Sequence, residues 1–333
     1  MTLPELRTDP GVAQRAFKLT DTRGPDPVGH YEVLLPEGFR PVDMPPGTPS
    51  SDHSPVCVSH FQTLGEPLAE LEITGLFLRR EIAPADVLES LLGPNRVIVE
   101  SRRIPSRGGD LLDVLTRQGG DVRSLARWWT VKDGGAAGGR LYVLEARTAA
   151  AHYPAFADQL STMLASFRLL NPTPWSYNER LSQLARKTPN DILFFYPESW
   201  QLEEVSDGSE GPFLANFWQV VGGRLLGRLW VVSERGEEAP EVVIERYAES
   251  LGAPVDWAPI EDAEPFGGLE YGWTRRGRTM LGDTAADVSL RVAQGRGATI
   301  VLGLAGVPAR VDALAAASMR RALEIVRETF RIA

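Results

Sequence analysis

One phrase is written twice in this chain. Val33-Leu34-Leu35-Pro36-Glu37-Gly38-Phe39 returns as Phe194-Phe195-Tyr196-Pro197-Glu198-Ser199-Trp200. In each, an apolar run ends at Pro-Glu, followed by one small residue and one aromatic ring. An echo at near-fixed spacing restricts a chain to copies of one structural unit, so it constrains the fold more than any single motif.

The echo continues downstream. Ile73–Glu81 leads to Ala83-Pro84-Ala85-Asp86-Val87-Leu88, and Leu225–Glu234 leads to Ala239-Pro240-Glu241-Val242-Val243-Ile244. Both read as helix starts, because proline in the first turn forfeits no hydrogen bond. Gly93 and Gly252 then stand where left-handed caps would end these helices. Leu115-Thr116-Arg117-Gln118-Gly119 matches Trp273-Thr274-Arg275-Arg276-Gly277, and Tyr142-Val143-Leu144 matches Ile300-Val301-Leu302, both at an offset of 158. Each half closes on a helix ending Phe-Arg, at Phe167-Arg168 and Phe330-Arg331. The expected organisation is a polar leader over 1–28, a first copy over 29–170, a linker over 171–189 and a second copy over 190–333.

The elements within each copy read alike. In the first, Val56–Thr63 and Leu71–Arg80 are strands, with Gly75 as a bulge that resets the second. Pro84–Leu92 is a helix. Arg96–Arg102, Leu111–Arg117, Ser124–Lys132 and Arg140–Arg147 are strands, the last two joined by a flexible glycine-rich hairpin at Gly134–Gly139. Pro154–Phe167 is the closing helix. The linker holds a short helix over Asn178–Arg186. In the second copy, Asp191–Tyr196, Pro212–Val221 and Arg224–Ser233 are strands, Pro240–Leu251 a helix, and Leu269–Arg275, Ala286–Gln294 and Ala298–Leu304 strands. Ala309–Phe330 closes that copy as a longer helix. Short connections imply antiparallel neighbours, so each copy is an α+β domain with a mostly antiparallel sheet and flanking helices.

This order, with the Pro-x-x-aromatic motif ending the first strand, the Pro-capped central helix and the terminal Phe-Arg, resembles the PsbP-like superfamily. That group includes the photosystem II extrinsic subunit, a Ran-binding protein and DcrB-like domains. The Eag chaperones of type VI secretion effectors are the members most similar in length and end motifs. The resemblance covers Gly29–Leu170 and Asn190–Ala333. It implies a protein-binding role without a cofactor, as chaperone or adaptor for a secreted effector. One departure stands out: those chaperones are single domains working as homodimers, whereas this chain holds two unlike copies.

The composition removes several function classes. A net charge of −9 with no long Lys/Arg block gives no basic footprint for nucleic acid or anionic membrane. The single cysteine excludes an intrachain disulfide and fits a reducing compartment. Residues 1–29 lack the apolar core of a signal peptide, and no segment has the roughly 18 apolar residues of a membrane span. A cytoplasmic protein is therefore expected.

No catalytic residue is assigned. There is no G-x-S-x-G elbow, and Gly134–Gly139 joins two strands without the Lys-Ser/Thr of a phosphate loop. His53, Cys57 and His60 have metal-like spacing, but strand alternation over Val56–Phe61 puts Cys57 and His60 on opposite faces, so no metal site is expected. The remaining signal is eight tryptophans. Trp128 and Trp129 must face opposite sides of a sheet, while Leu269, Tyr271 and Trp273 share one side. Trp129, Tyr271 and Trp273 are thus the candidates for a partner-binding surface, the partner being an apolar helical segment. A small-ligand binder or enzyme with a pocket between the copies, and a toxin inhibitor, remain as alternatives.

Overall fold

Pro36 follows a five-residue strand and Pro197 ends a six-residue one, and each strand lies beneath a long helix near the end of its half of the chain. The computed structural model describes residues 3, 5–23, 29–43, 55–92, 96–106, 109–118, 124–187, 189–209, 211–249, 254–281 and 284–332. The chain divides into two units, Met1–Glu179 and Arg180–Ala333.

Unit 1 begins with α1 (Pro10–Arg15), started by Pro10 and capped where the Asp9 carboxylate accepts the Val12 N–H at 2.9 Å. β1 (Phe17–Asp21) and β2 (Tyr31–Leu35) follow, then β3 (Phe39–Pro41), β4 (Val56–Thr63) and β5 (Ala69–Leu78). Next come α2 (Pro84–Leu92), β6 (Arg96–Ile104), β7 (Leu111–Gln118), β8 (Ser124–Asp133) and β9 (Gly139–Ala149). The unit closes with α3 (Tyr153–Ser166) and β10 (Arg168–Leu169). Its main sheet runs β3-β4-β5-β9-β8-β7-β6, antiparallel throughout, and β1-β2-β10 forms a small second sheet.

Unit 2 contains β11 (Leu181–Arg186), β12 (Ile192–Pro197), β13 (Trp200–Asp207), β14 (Phe213–Val221), β15 (Arg224–Arg235) and α4 (Pro240–Glu249). β16 (Asp256–Trp257), β17 (Glu261–Asp262), β18 (Tyr271–Leu281), β19 (Thr284–Gly295) and β20 (Ala298–Gly306) complete its sheet. α5 (Ala313–Thr329) and β21 (Arg331–Ile332) end it, α5 capped by Asp312 on the Ala315 N–H. The main sheet runs β13-β14-β15-β20-β19-β18-β16, with β17 also on β18, and β11-β12-β21 is the small sheet. Apart from β17, the two orders are the same strand for strand.

Period-two patterning explains the layers. Leu71, Ile73, Leu144 and Ala146 bury one face of the first sheet under α3, together with Leu160, Met163 and Leu164. Val231, Ile300 and Leu302 do so under α5, with Met319, Leu323 and Val326. Val243 and Ile244 of α4 cover the opposite face of the second sheet, over Val232, Val292 and Val301. The closing aromatics lock each long helix to its small sheet. Phe167 lies 5.1 Å from Tyr31, and Phe330 stacks on Phe194 at 5.5 Å. Ser166 accepts the Leu34 N–H at 2.9 Å, and Thr329 accepts the Phe195 N–H at 3.0 Å.

Several expectations change. The residues expected as a leader carry α1 and β1, and β1 pairs along the whole of β2 with Phe17 half-exposed. Within the expected linker, Leu181–Arg186 is a strand paired with β12, where a helix over Asn178–Arg186 was expected; its apolar residues find an open strand edge. Residues 175–178 fold back over the glycine hairpin, so a Cβ on Gly134 would meet the Tyr177 carbonyl at 2.4 Å. The hairpin's glycines thus serve close packing rather than flexibility. Trp200–Asp207 is a strand that its acidic stretch did not suggest.

The bulge is not at Gly75, which pairs in unbroken register with Tyr142. It lies in β4, between Cys57 and Ser59. The common offset of 158 also fails on one strand. The connection from β8 to β9 is longer than the two-residue turn Arg296-Gly297, so the row Leu115–Arg127–Ala146–Leu71 corresponds to Arg276–Ser289–Leu304–Leu229. Leu115 therefore occupies the place of Arg276, not of Trp273. Gly93, Gly119 and Gly252 lie outside the described residues. No helix among the described residues is long and apolar enough to cross a membrane.

Candidate functional site

The β4 bulge reorders the candidate metal ligands. With one extra residue, Cys57 pairs with Thr74 and His60 with Glu72, two residues apart on β5. Cys57 and His60 therefore share a face, because cross-strand partners point the same way. The alternation that should have separated them is cancelled. Across that face His60 Nε2 lies 3.9 Å from Glu70, and burial with the nearby Glu72 carboxylate pushes the Cys57 thiol up. His53 lies outside the described residues. Among the described residues no group of three or more His, Cys, Asp or Glu is arranged to hold a metal ion.

The aromatic candidates fall in two environments. Trp129 is partly buried against the α3 core, while Trp128 is buried on the other face, where its indole donates to Thr116 at 2.9 Å beneath the Arg96 guanidinium at 4.3 Å. Tyr271 and Trp273 share a face of β18 and stack, with centroids 6.2 Å apart and planes at 23°. Trp273 packs against the α4 cluster, whereas Tyr271 is 55% exposed.

Elsewhere on the same face, unit 2's sheet interleaves tryptophan with arginine. Arg228 sits 5.2 Å from the Trp218 ring and 5.3 Å from Trp230, held by the Asn216 carbonyl oxygen at 2.7 and 3.0 Å. Arg275 lies 5.3 Å over Trp257. Burial pulls the Arg228 guanidinium down from its ordinary value. Trp230 is accommodated by its neighbour on β20: a Cβ on Gly303 would sit 1.9 Å from the ring. The arginines were not singled out from the sequence. Their signal is the period-two spacing of Arg228 with Trp230 and of Trp273 with Arg275, which puts cation and ring on one face.

Trp230, Trp257 and Trp273 lie in the cluster beneath α4, and Tyr271 is the ring of this face left largely exposed.

No family model matches the chain, and no curated protein does. Among solved structures it is similar to cyanobacterial PsbP (CyanoP) from Synechocystis, at 17% identity over 46% of this chain and 92% of that one, with a TM-score of 0.34. LpqN of Mycobacterium tuberculosis, involved in cell envelope biogenesis, is similar at 16% over 46% and 90%, with a TM-score of 0.29. The type VI secretion immunity protein TplEi of Pseudomonas aeruginosa is similar at 12% over 82% and 94%, with a TM-score of 0.25. Likeness at this level assigns no function.

Proposed function

We propose that this chain is a non-enzymatic protein-binding module made of two diverged copies of one PsbP-like domain, acting as chaperone or adaptor for a secreted effector. The shared strand order and the matching hydroxyl contacts at Ser166 and Thr329 support the duplication. The observation that carries the binding role is Tyr271, a large ring left 55% exposed while stacked on a fixed tryptophan. Pre-set aromatic area costs little ordering entropy on association, which is why such rings become anchors. An apolar helical segment of the partner would lay its i, i+4, i+7 side chains along this rim.

The test is affinity capture from native lysate with in-cell crosslinking, comparing wild type with Tyr271→Ser. The reading expects one protein, crosslinked near β18, whose recovery falls at least tenfold in the variant. Equal recovery with crosslinks elsewhere would reject this face. A metabolite copurifying in place of any protein would reject the binding-module reading.

A further inference from the structure

Unit 1 fills a groove with its own N-terminal segment. The Ser161 hydroxyl on α3 accepts the Arg7 N–H at 3.4 Å and donates to the Arg7 carbonyl at 3.2 Å. Thr162 accepts the Asp9 N–H at 3.0 Å, and Glu100 on β6 accepts the Leu3 N–H. Leu3 and Leu6 pack onto the α3 core. The segment thus runs between α3 and the β6–β8 side of the sheet, held by backbone hydrogen bonds and two leucines.

Counting back from Ser166 and Thr329, Ser161 corresponds to Glu324 on α5. By the cross-strand rows, Trp129 corresponds to Arg291 and Leu115 to Arg276. In unit 2 the same place, between α5 and the β16–β19 side, is an open cavity of about 640 Å³. Its floor is apolar, with Leu304, Met319 and Leu323 each under a tenth exposed. Its walls carry Arg276, Arg278, Arg291 and Arg320. Glu324 accepts from Arg291 at 2.6 Å and from Arg327 at 2.8 Å, and Arg278 approaches Asp287 at 3.8 Å. Among the described residues Arg276 makes no ion pair, and Arg291 Nε is buried without a hydrogen-bond partner. With Asp256 also in the lining, four arginines face three carboxylates, so in a chain of net charge −9 the groove carries a local surplus of one cation over an apolar floor.

We propose that this groove binds an extended acidic segment of a partner protein, seated as Leu3, Leu6, Arg7 and Asp9 are seated in unit 1. Two apolar side chains spaced like Leu3 and Leu6 would enter the floor, and a carboxylate would meet Arg276 and Arg291. A charge-assisted contact of that kind is among the stronger hydrogen bonds available at a half-buried site. The proposal shares with the preceding reading only the premise that the ligand is a protein, since Tyr271 takes no part in it.

The probe is a labelled peptide of residues 1–15 carrying Arg7→Glu, which keeps both leucines and adds a carboxylate, titrated into the full chain by fluorescence anisotropy. Saturable binding is expected, weakened at least tenfold by Arg276→Glu, unchanged by Tyr271→Ser, and accompanied by hydrogen-exchange protection of residues 287–291 and 316–324. Arg276 is exposed, so its replacement leaves the core intact; Arg276→Lys should retain most of the binding. Absence of saturable binding, or binding indifferent to Arg276→Glu, would overturn the proposal. So would displacement of the peptide by a free fatty carboxylate at lower concentration, which makes the groove a small-ligand site. A dimer abolished by deleting residues 1–9 would also overturn it, by showing the groove to hold a second copy's leader.

Discussion

The two units set the same strands in the same order and spend the corresponding positions differently. Beneath α3, Arg127 is 1% exposed and held by both oxygens of the fully buried Asp113, at 2.9 and 3.0 Å, with Arg102 on the same carboxylate at 2.7 Å. The corresponding pair beneath α5 is Ser289 and Thr274, and Thr274 donates to the Leu290 carbonyl at 3.1 Å. On the opposite faces, unit 1 places Trp128 on β8 beside Glu145, whereas unit 2 places Trp230 on β15 over Gly303. A fold fixes where side chains point; their identities decide whether a position is a sealed ion pair, a packed indole or an arginine wall.

Asp113→Ala should produce the largest effect, because it removes the buried carboxylate that holds Arg127 in the core, costing about 3–5 kcal/mol. Thr274→Val removes one buried hydroxyl and should cost about 1 kcal/mol. Urea unfolding monitored by hydrogen exchange in each unit compares them, and equal costs would erase the contrast between the two cores.

Gly303→Ala comes next, at roughly 1–3 kcal/mol, since the added methyl overlaps a buried indole that has nowhere to turn. Tryptophan fluorescence and unfolding midpoints report it; a neutral outcome would mean that Trp230 is free to reorient. Leu6→Ala should cost up to about 2 kcal/mol, less than a fully buried leucine, and should raise exchange in α3 but not in α5. Exchange rising equally in both helices would break the link between the leader and unit 1.

A subtler effect concerns Glu145. Burial pushes its carboxyl up, against the pull of Arg96 and Arg147. A folded-state pKa above the unfolded one means that the fold binds the proton more tightly. The group's contribution is therefore complete below its ordinary pKa and is lost as pH rises through the folded value. Glu145→Gln should abolish that loss, so the variant gains on wild type as pH rises above the ordinary carboxylate range. A gap that stays constant or narrows with pH would contradict the assignment. The smallest stability change belongs to Tyr271→Ser, expected within about 0.5 kcal/mol, although that ring carries the proposed partner contact.

Much of the architecture was legible because it follows from local rules. Pro84 and Pro240 announced helix starts, and β4 and α2 fall at their expected limits of Val56–Thr63 and Pro84–Leu92. The long helices showed their buried stripes at helical spacing, and Tyr271 and Trp273 fall on one side of a strand as alternation requires. What escaped was set by partners distant in the chain. The β4 bulge arises from pairing with β5, and it reverses the facing of Cys57 and His60 that alternation alone would give. The register of β18 depends on the length of a hairpin two strands away, so matching Leu115 with Trp273 by spacing was off by three residues. Arg228 became visible as an aromatic-bound cation only once β14 and β15 brought Trp218 and Trp230 to either side of it.

The sequence by itself determined the recurrence and the types of most elements, the apolar stripe of each long helix and the acidic net charge. These depend on composition and on periods of two and 3.6, which any window of the chain carries within itself. The tertiary structure decided that residues 5–23 are part of unit 1's packing, that residues 175–178 close over Gly134, and that unit 2 keeps its groove open. Each of these is a choice among surfaces that the strands and helices create only after they assemble. An apolar or polar side chain is equally content with any such surface that buries or pairs it, so no local pattern names which one it will meet.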